Sequence, residues 1–173
     1  MPEKDDIYLD KKEKSIGSLN QYLTFKLEKE YYGLQLEKAK EIIKPPKITN
    51  VPNTPKHVMG VINIRGKVTP VIDLKEKLGL VKNYKKKDNK KIIIINIDGI
   101  MVGLYIDDVR EVLSINSDDI EKTTDGKQSL EEEYIMGVFT SKGKLIVIIN
   151  IEDILFDNNN PSEEVKNAWK GSR

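Results

Sequence analysis

Residues 21–27 alternate in character, with Leu23, Phe25 and Leu27 on one face and Tyr22, Thr24 and Lys26 on the other. A period of two is the mark of a β-strand with one face toward a core. A charged turn at Glu28, Lys29 and Glu30 leads to a second strand through Tyr32 and Leu36. Further along, Lys91–Ile97 and Ile100–Ile106 flank Asp98 and Gly99, a pair favoured at the centre of type I′ hairpin turns. Short helical signals separate the strands: Thr54 and Pro55 as cap and first position, then 74–80, 107–113 and Ile151–Phe156. Residues 1–18 and 158–173 are polar and charged. Such segments bury too little apolar surface to offset the cost of ordering, so both are expected to be flexible. Asn159, Asn160 and Pro161 mark the end of the fold.

Sliding the chain on itself reveals an internal repeat. Residues 33–43 read GLQLEKAKEII and residues 103–113 read GLYIDDVREVL, with Gly33/Gly103, Leu34/Leu104 and Glu41/Glu111 identical. Residues 60–74 (GVINIRGKVTPVIDL) match residues 137–151 (GVFTSKGKLIVIINI) at Gly60, Val61, Gly66, Lys67 and Ile72. The offset grows from 70 to 77 residues, which puts a longer connection within 116–133 of the second copy. The predicted unit is therefore hairpin, short helix, loop, hairpin, short helix, used twice. A sheet of four or five short strands can bury its apolar side by curling into a barrel. Two such barrels would share an apolar seam, and seams of this kind are natural binding grooves. The expected divisions are a lead over 1–18, a domain over 19–157 with units at about 21–80 and 91–157, and a tail over 158–173.

Composition narrows the function classes. Across 173 residues, 29 basic and 28 acidic side chains leave a net charge of +1. That balance argues against broad attraction to nucleic acid or membrane, which needs a field of one sign. With no cysteine, disulfides, thiolate nucleophiles and zinc–thiolate sites are excluded. The first twenty residues lack the apolar core of a signal peptide, and the longest apolar run, 145–149, is far too short to span a bilayer. A soluble, cytosolic chain is expected.

The segment GVINIRGKVTPVIDL resembles the signature of chemotaxis coupling proteins of the CheW-like family, an Asn-Leu-Arg-Gly hairpin followed by a Pro-Val-Val-Asp-Leu strand. Asn63, Ile64, Arg65 and Gly66, then Pro70 through Leu74, fill those places. Tyr32-Gly33-Leu34 with Glu41-Ile42, and Asn53-Thr54-Pro55 with Gly60-Val61, match the family's approach to that hairpin. The resemblance covers about 21–157 and implies a mainly β fold of two intertwined five-stranded SH3-like barrels with short helices. It implies an adaptor without catalysis or cofactor, cytoplasmic and recruited to membrane receptor arrays. The implied partners are the cytoplasmic tip of methyl-accepting chemotaxis receptors and the regulatory domain of the chemotaxis histidine kinase. Carried over residue by residue, the receptor surface comprises Leu36, Ala39, Glu41, Gly60, Asn63 and Arg65, with Ala39 smaller than the family's usual valine. The kinase-contact residues are not implied. Only about sixteen residues follow the second repeat, which predicts the stand-alone form rather than one fused to a receiver domain or to the kinase.

Each of these residues also has a plainer reading. Arg65 before Gly66 is ordinarily a solvated turn charge, and Gly60 suits a close backbone approach as well as a site. Gly66 and Gly143 fit turns that need positive φ. The basic run 82–91 holds six lysines, yet it lacks arginine and the aromatic platforms that single strands stack on. It reads as a solvated linker, and a nucleic-acid-binding β-barrel is the alternative it leaves. His57, the sole histidine, offers no histidine metal cluster or phosphorelay, and reads as a helix-face residue rather than an acid–base catalyst. Adjacent carboxylates at Asp107/Asp108 and Asp118/Asp119 suit helix starts. An enzyme using Asp73 or Glu111 as base would lack a nucleophile, a metal set and an acid–base pair. Tyr31, Tyr32 and Phe25 look like core packing.

Overall fold

Ten strands and two short helices make up the computed structural model, which describes residues 19–80, 89–122 and 134–156. In order these are β1 (Leu19–Leu27), β2 (Glu30–Gln35), a 3-10 turn (Leu36–Lys38), β3 (Ala39–Ile43), β4 (Val58–Ile64), β5 (Lys67–Asp73) and α1 (Leu74–Lys77). The second half supplies β6 (Lys91–Ile97), β7 (Ile100–Ile106), β8 (Asp108–Asn116), a 3-10 turn (Ser117–Asp119), β9 (Ile135–Ser141), β10 (Lys144–Ile149) and α2 (Ile151–Phe156). The fold is mainly β, as the alternation implies.

The strands form two five-stranded sheets, ordered β8-β1-β2-β10-β9 and β3-β6-β7-β5-β4. Each sheet takes its strands from both repeats. In the first, β10 lies parallel to β2, pairing Val147 with Tyr32. In the second, β5 lies parallel to β7, pairing Ile72 with Leu104. These two joins occupy equivalent places in the repeats, so one copy completes the other by a two-fold exchange.

The hairpins between β4 and β5, β6 and β7, and β9 and β10 turn through Arg65-Gly66, Asp98-Gly99 and Lys142-Gly143, with positive φ at both positions of each. This is the type I′ geometry whose twist matches the flanking strands. In the first two, a side-chain amide oxygen closes the turn: Gly66 N–H donates to Asn63 and Gly99 N–H donates to Asn96. Gly60 is demanded by a different constraint. A Cβ there would lie 2.2 Å from the carbonyl oxygen of Thr49, because the chain at Thr49 bridges to Val61 along the outer side of β4. Its repeat partner Gly137 meets Glu121 in the same way.

The largest apolar cluster lies between the sheets. It joins Leu23, Phe25 and Leu34 from the first to Ile93, Ile95 and Leu104 from the second, with Ile151 and Ile154 of α2. Each sheet covers a smaller cluster of its own: Tyr22, Ile115, Ile146 and Ile148 in one, Ile62, Val71, Ile92 and Ile94 in the other. Both faces of β6 and of β1 from Tyr22 to Phe25 are therefore buried, and residues 92–95 have no exposed member. Each such isoleucine contributes roughly 1.5–3 kcal/mol. The seam expected between the halves is a packed core.

Two predicted helices are not formed. Residues 107–113 belong to the crossover and to β8, which pairs with β1 through Tyr22 and Leu113. Residues 54–57 make a turn, with Val58 N–H donating to the Pro55 carbonyl. The helix expected over 74–80 stops at Lys77, capped at its start by Asp73 and followed by Gly79 at φ +70. The 3-10 turn at Asp118 and Asp119 is capped by Asn116. Trp169, both end segments, and all but Lys90 and Lys91 of the lysines in the basic run fall outside the described residues.

Candidate functional site

The second sheet begins with β3 and ends with β4, and its two outermost elements meet through side chains. Arg65, in the turn after β4, reaches Glu41 of β3 with an Nη2–Oε2 distance of 2.7 Å. The arginine side chain is 77% exposed and the glutamate 28%. A pair so exposed is worth only about 0–1 kcal/mol, so its main effect is to hold the guanidinium in one direction. Asn63 contributes by fixing the turn that carries Arg65.

The other sequence-predicted residues have different places. Leu36 and Ala39 pack, half-buried, against the main core. Leu36 also borders a cleft of about 290 Å³ with Leu19, Gln21 and Gln35, whose walls include none of the other five. Gly60 is buried against the Thr49 backbone, so its close-approach reading holds on structural grounds. The structure thus brings together Glu41, Asn63 and Arg65.

The residues considered for catalysis have structural duties. Asp73 accepts the N–H groups of Lys75 and Glu76. His57 accepts the Asp73 N–H through its backbone carbonyl; burial and the neighbouring charge of Lys77 press its imidazole down to about 4, against the opposing pull of Glu76. It is therefore neutral at ordinary pH. Phe25 and Tyr32 stack in the core with ring centroids 6.0 Å apart, whereas Tyr31 faces three cations on the opposite side.

An ionic cluster passed unnoticed in the sequence. Lys75 of α1, only 3% exposed, reaches Glu28 at 2.9 Å and Asp107 at 3.0 Å, and Lys90 contacts the same Asp107. Burial would lower the Lys75 pKa, but hydrogen bonding within the cluster raises it. For Asp107, burial would raise the carboxyl; hydrogen bonds from Lys90, the Glu28 amide and Lys75 outweigh that and lower it. In the other repeat the counterpart of Lys75 is Glu152 of α2, and it contacts Lys38, the counterpart of Asp108, not of Asp107. Adjacent carboxylates at 107 and 108 were the available signal, and an α-helical reading concealed it.

The family model described as a CheW-like domain matches residues 21–158. The chain belongs to that family. Among CheW-like relatives, the chemotaxis protein CheW of Helicobacter pylori is 32% identical over 157 residues, covering 87% of this chain and 94% of that one. The CheW of Bacillus subtilis is 33% identical, covering 77% and 85% respectively. The crystal structure of the scaffolding protein TtCheW from Thermoanaerobacter tengcongensis superposes with a TM-score of 0.73 at 34% identity, covering 82% of this chain and 95% of that one. As a CheW-like chain it is a chemotaxis adaptor by class, and nothing in its fold or relatives favours nucleic acid. No described helix is long and apolar enough to cross a membrane.

Proposed function

We propose that this chain is a non-enzymatic cytoplasmic adaptor that couples the tip of methyl-accepting chemoreceptors to the regulatory domain of the chemotaxis histidine kinase within membrane receptor arrays. The working unit spans 19–157, each five-stranded sheet acting as an SH3-like barrel. Leu36, Ala39, Glu41, Gly60, Asn63 and Arg65 form the receptor side. The observation that carries this reading is the Glu41–Arg65 pair across the two ends of the second sheet. It supports a curled, barrel-like sheet and a pre-oriented guanidinium on its rim. Pre-orientation reduces the ordering cost of binding. Gly60 acts through its backbone, seating β4, and Asn63 through its side-chain oxygen, shaping the hairpin.

Co-sedimentation with receptor-containing membranes, with and without the kinase, tests it. Arg65→Glu and Glu41→Arg should each weaken receptor binding on the order of tenfold, and the double reversal should recover part of the loss. Full receptor binding by Arg65→Glu would remove the role given to this pair, and failure to bind either partner would overturn the adaptor reading.

A further inference from the structure

Offsets of 70 and 77 residues take Glu41 and Arg65 to Glu111 and Lys142 in the second repeat. There the corresponding ion pair is not made. Among the described residues neither Glu111 nor Lys142 has a salt-bridge partner; both instead line a cleft with Tyr31, Arg110 and Lys144. The backbone beneath is fixed: the buried Thr24 hydroxyl donates to the Glu111 carbonyl at 2.7 Å and accepts its N–H at 3.0 Å.

Charge is unbalanced at this place. The Lys144 ammonium lies 4.9 Å from the centre of the Tyr31 ring, Lys26 5.8 Å and the Arg110 guanidinium 5.9 Å. Lys144 and Lys26 have no carboxylate partner among the described residues, and Arg110 has only Asp108 at a loose 3.9 Å. The Tyr31 phenol responds to this field: hydrogen bonding from Lys144, then the charges of Lys144, Lys26 and Arg110, draw its pKa below the ordinary value. The cleft has about 70 Å³ of free space and opens to solvent, which leaves room for a carboxylate-sized oxyanion.

We propose that this cleft docks an acidic side chain from a segment of a partner protein, its carboxylate held by Lys142, Lys144 and Arg110. Two lining residues favour a protein over a free anion or a nucleic acid. The Tyr31 ring and Ile146 form the apolar part of the wall. An apolar wall beside a single anion position fits the methylene stem of an acidic side chain. A nucleic-acid backbone would call for a longer track of cations. The two repeats then present different hairpins, the first with its charges paired and the second with cations awaiting an acid.

The test is an NMR titration of the isotopically labelled full chain with a hexaglutamate peptide and, separately, with inorganic phosphate. The peptide should give saturable, salt-sensitive shifts centred on Tyr31, Arg110, Lys142 and Lys144, and should bind at least about tenfold more tightly than phosphate. Lys142→Glu should weaken peptide binding by about tenfold or more, while Lys47→Glu, an equal charge change on an exposed lysine of the β3–β4 connection, should not. Absence of localised shifts would overturn the proposal. So would phosphate binding as tightly as the peptide, or an equal loss in the two variants.

Discussion

A left-handed backbone at position 65, φ +49, stands the arginine at the tip of its hairpin. A residue with a Cβ pays about 1–2 kcal/mol for this conformation, and the Asn63 side chain helps hold it by accepting the Gly66 N–H at 2.8 Å. The type I′ requirement was legible, since an x-Gly pair between alternating segments specifies it. For Gly60 a close backbone approach was one of two readings, and the segment it approaches was not legible. Its neighbour Thr49 lies in a stretch without periodicity, and no local pattern announces that the two backbones touch. The two kinds of glycine should respond differently to alanine. Gly60→Ala meets a backbone oxygen at 2.2 Å at φ +145 and should cost about 3 kcal/mol or more. Gly66→Ala has nothing within 4 Å of the added carbon and should lose only about 1 kcal/mol. Urea unfolding midpoints of the two variants check this; equal losses would mean that conformation alone sets the requirement.

Hairpins were the elements most readily read, because their two strands are adjacent in sequence and a short turn fixes the register. Residues 107–113 were misread because Val109, Val112 and Leu113 are also compatible with a helical face. The outcome was decided at long range, by the free edge of β1, which β8 covers from Leu19 to Lys26. The same segment contains the acid that ties the sheets together. Asp107 is 5% exposed and binds Lys75 at the end of the second sheet and the Glu28 amide in the first β-hairpin. Removing its charge strands a buried ammonium, so Asp107→Asn should destabilise the fold by about 3 kcal/mol or more. Its carboxyl is depressed in the folded state, below the ordinary unfolded value of about 3.9. The stabilisation is therefore complete above about pH 5 and is lost as pH falls through the folded pKa. Denaturation midpoints at neutral pH and near pH 3 should show a smaller acid-induced loss in Asp107→Asn than in the wild type. Parallel losses in the two proteins would count against the cluster.

The repeat was visible in the sequence, but the exchange of strands was not. Self-similarity shows which positions are equivalent; it is silent on which copy supplies each neighbour. The decisive pairings are the parallel joins of Val147 to Tyr32 and of Ile72 to Leu104, and no turn signals either one. Their consequence reaches the whole chain. Without the second repeat, β1 and β2 lose both β8 and β10, while β3 and β5 lose β6 and β7. The main core would be divided, and Leu74 and Ile72 would lose Leu104 and Ile154 as fellow members of the cluster. A lone half therefore exposes apolar edges and cannot offset its ordering entropy. Chains cut between Tyr84 and Lys85 test this: residues 1–84 and 85–173 should each lack dispersed amide resonances and a cooperative melt. Mixed, they should recover both, with an apparent Kd on the order of micromolar or tighter. A first half that folds by itself would mean that contacts within one repeat suffice, and the exchange would then be an arrangement of two stable units rather than the origin of their stability.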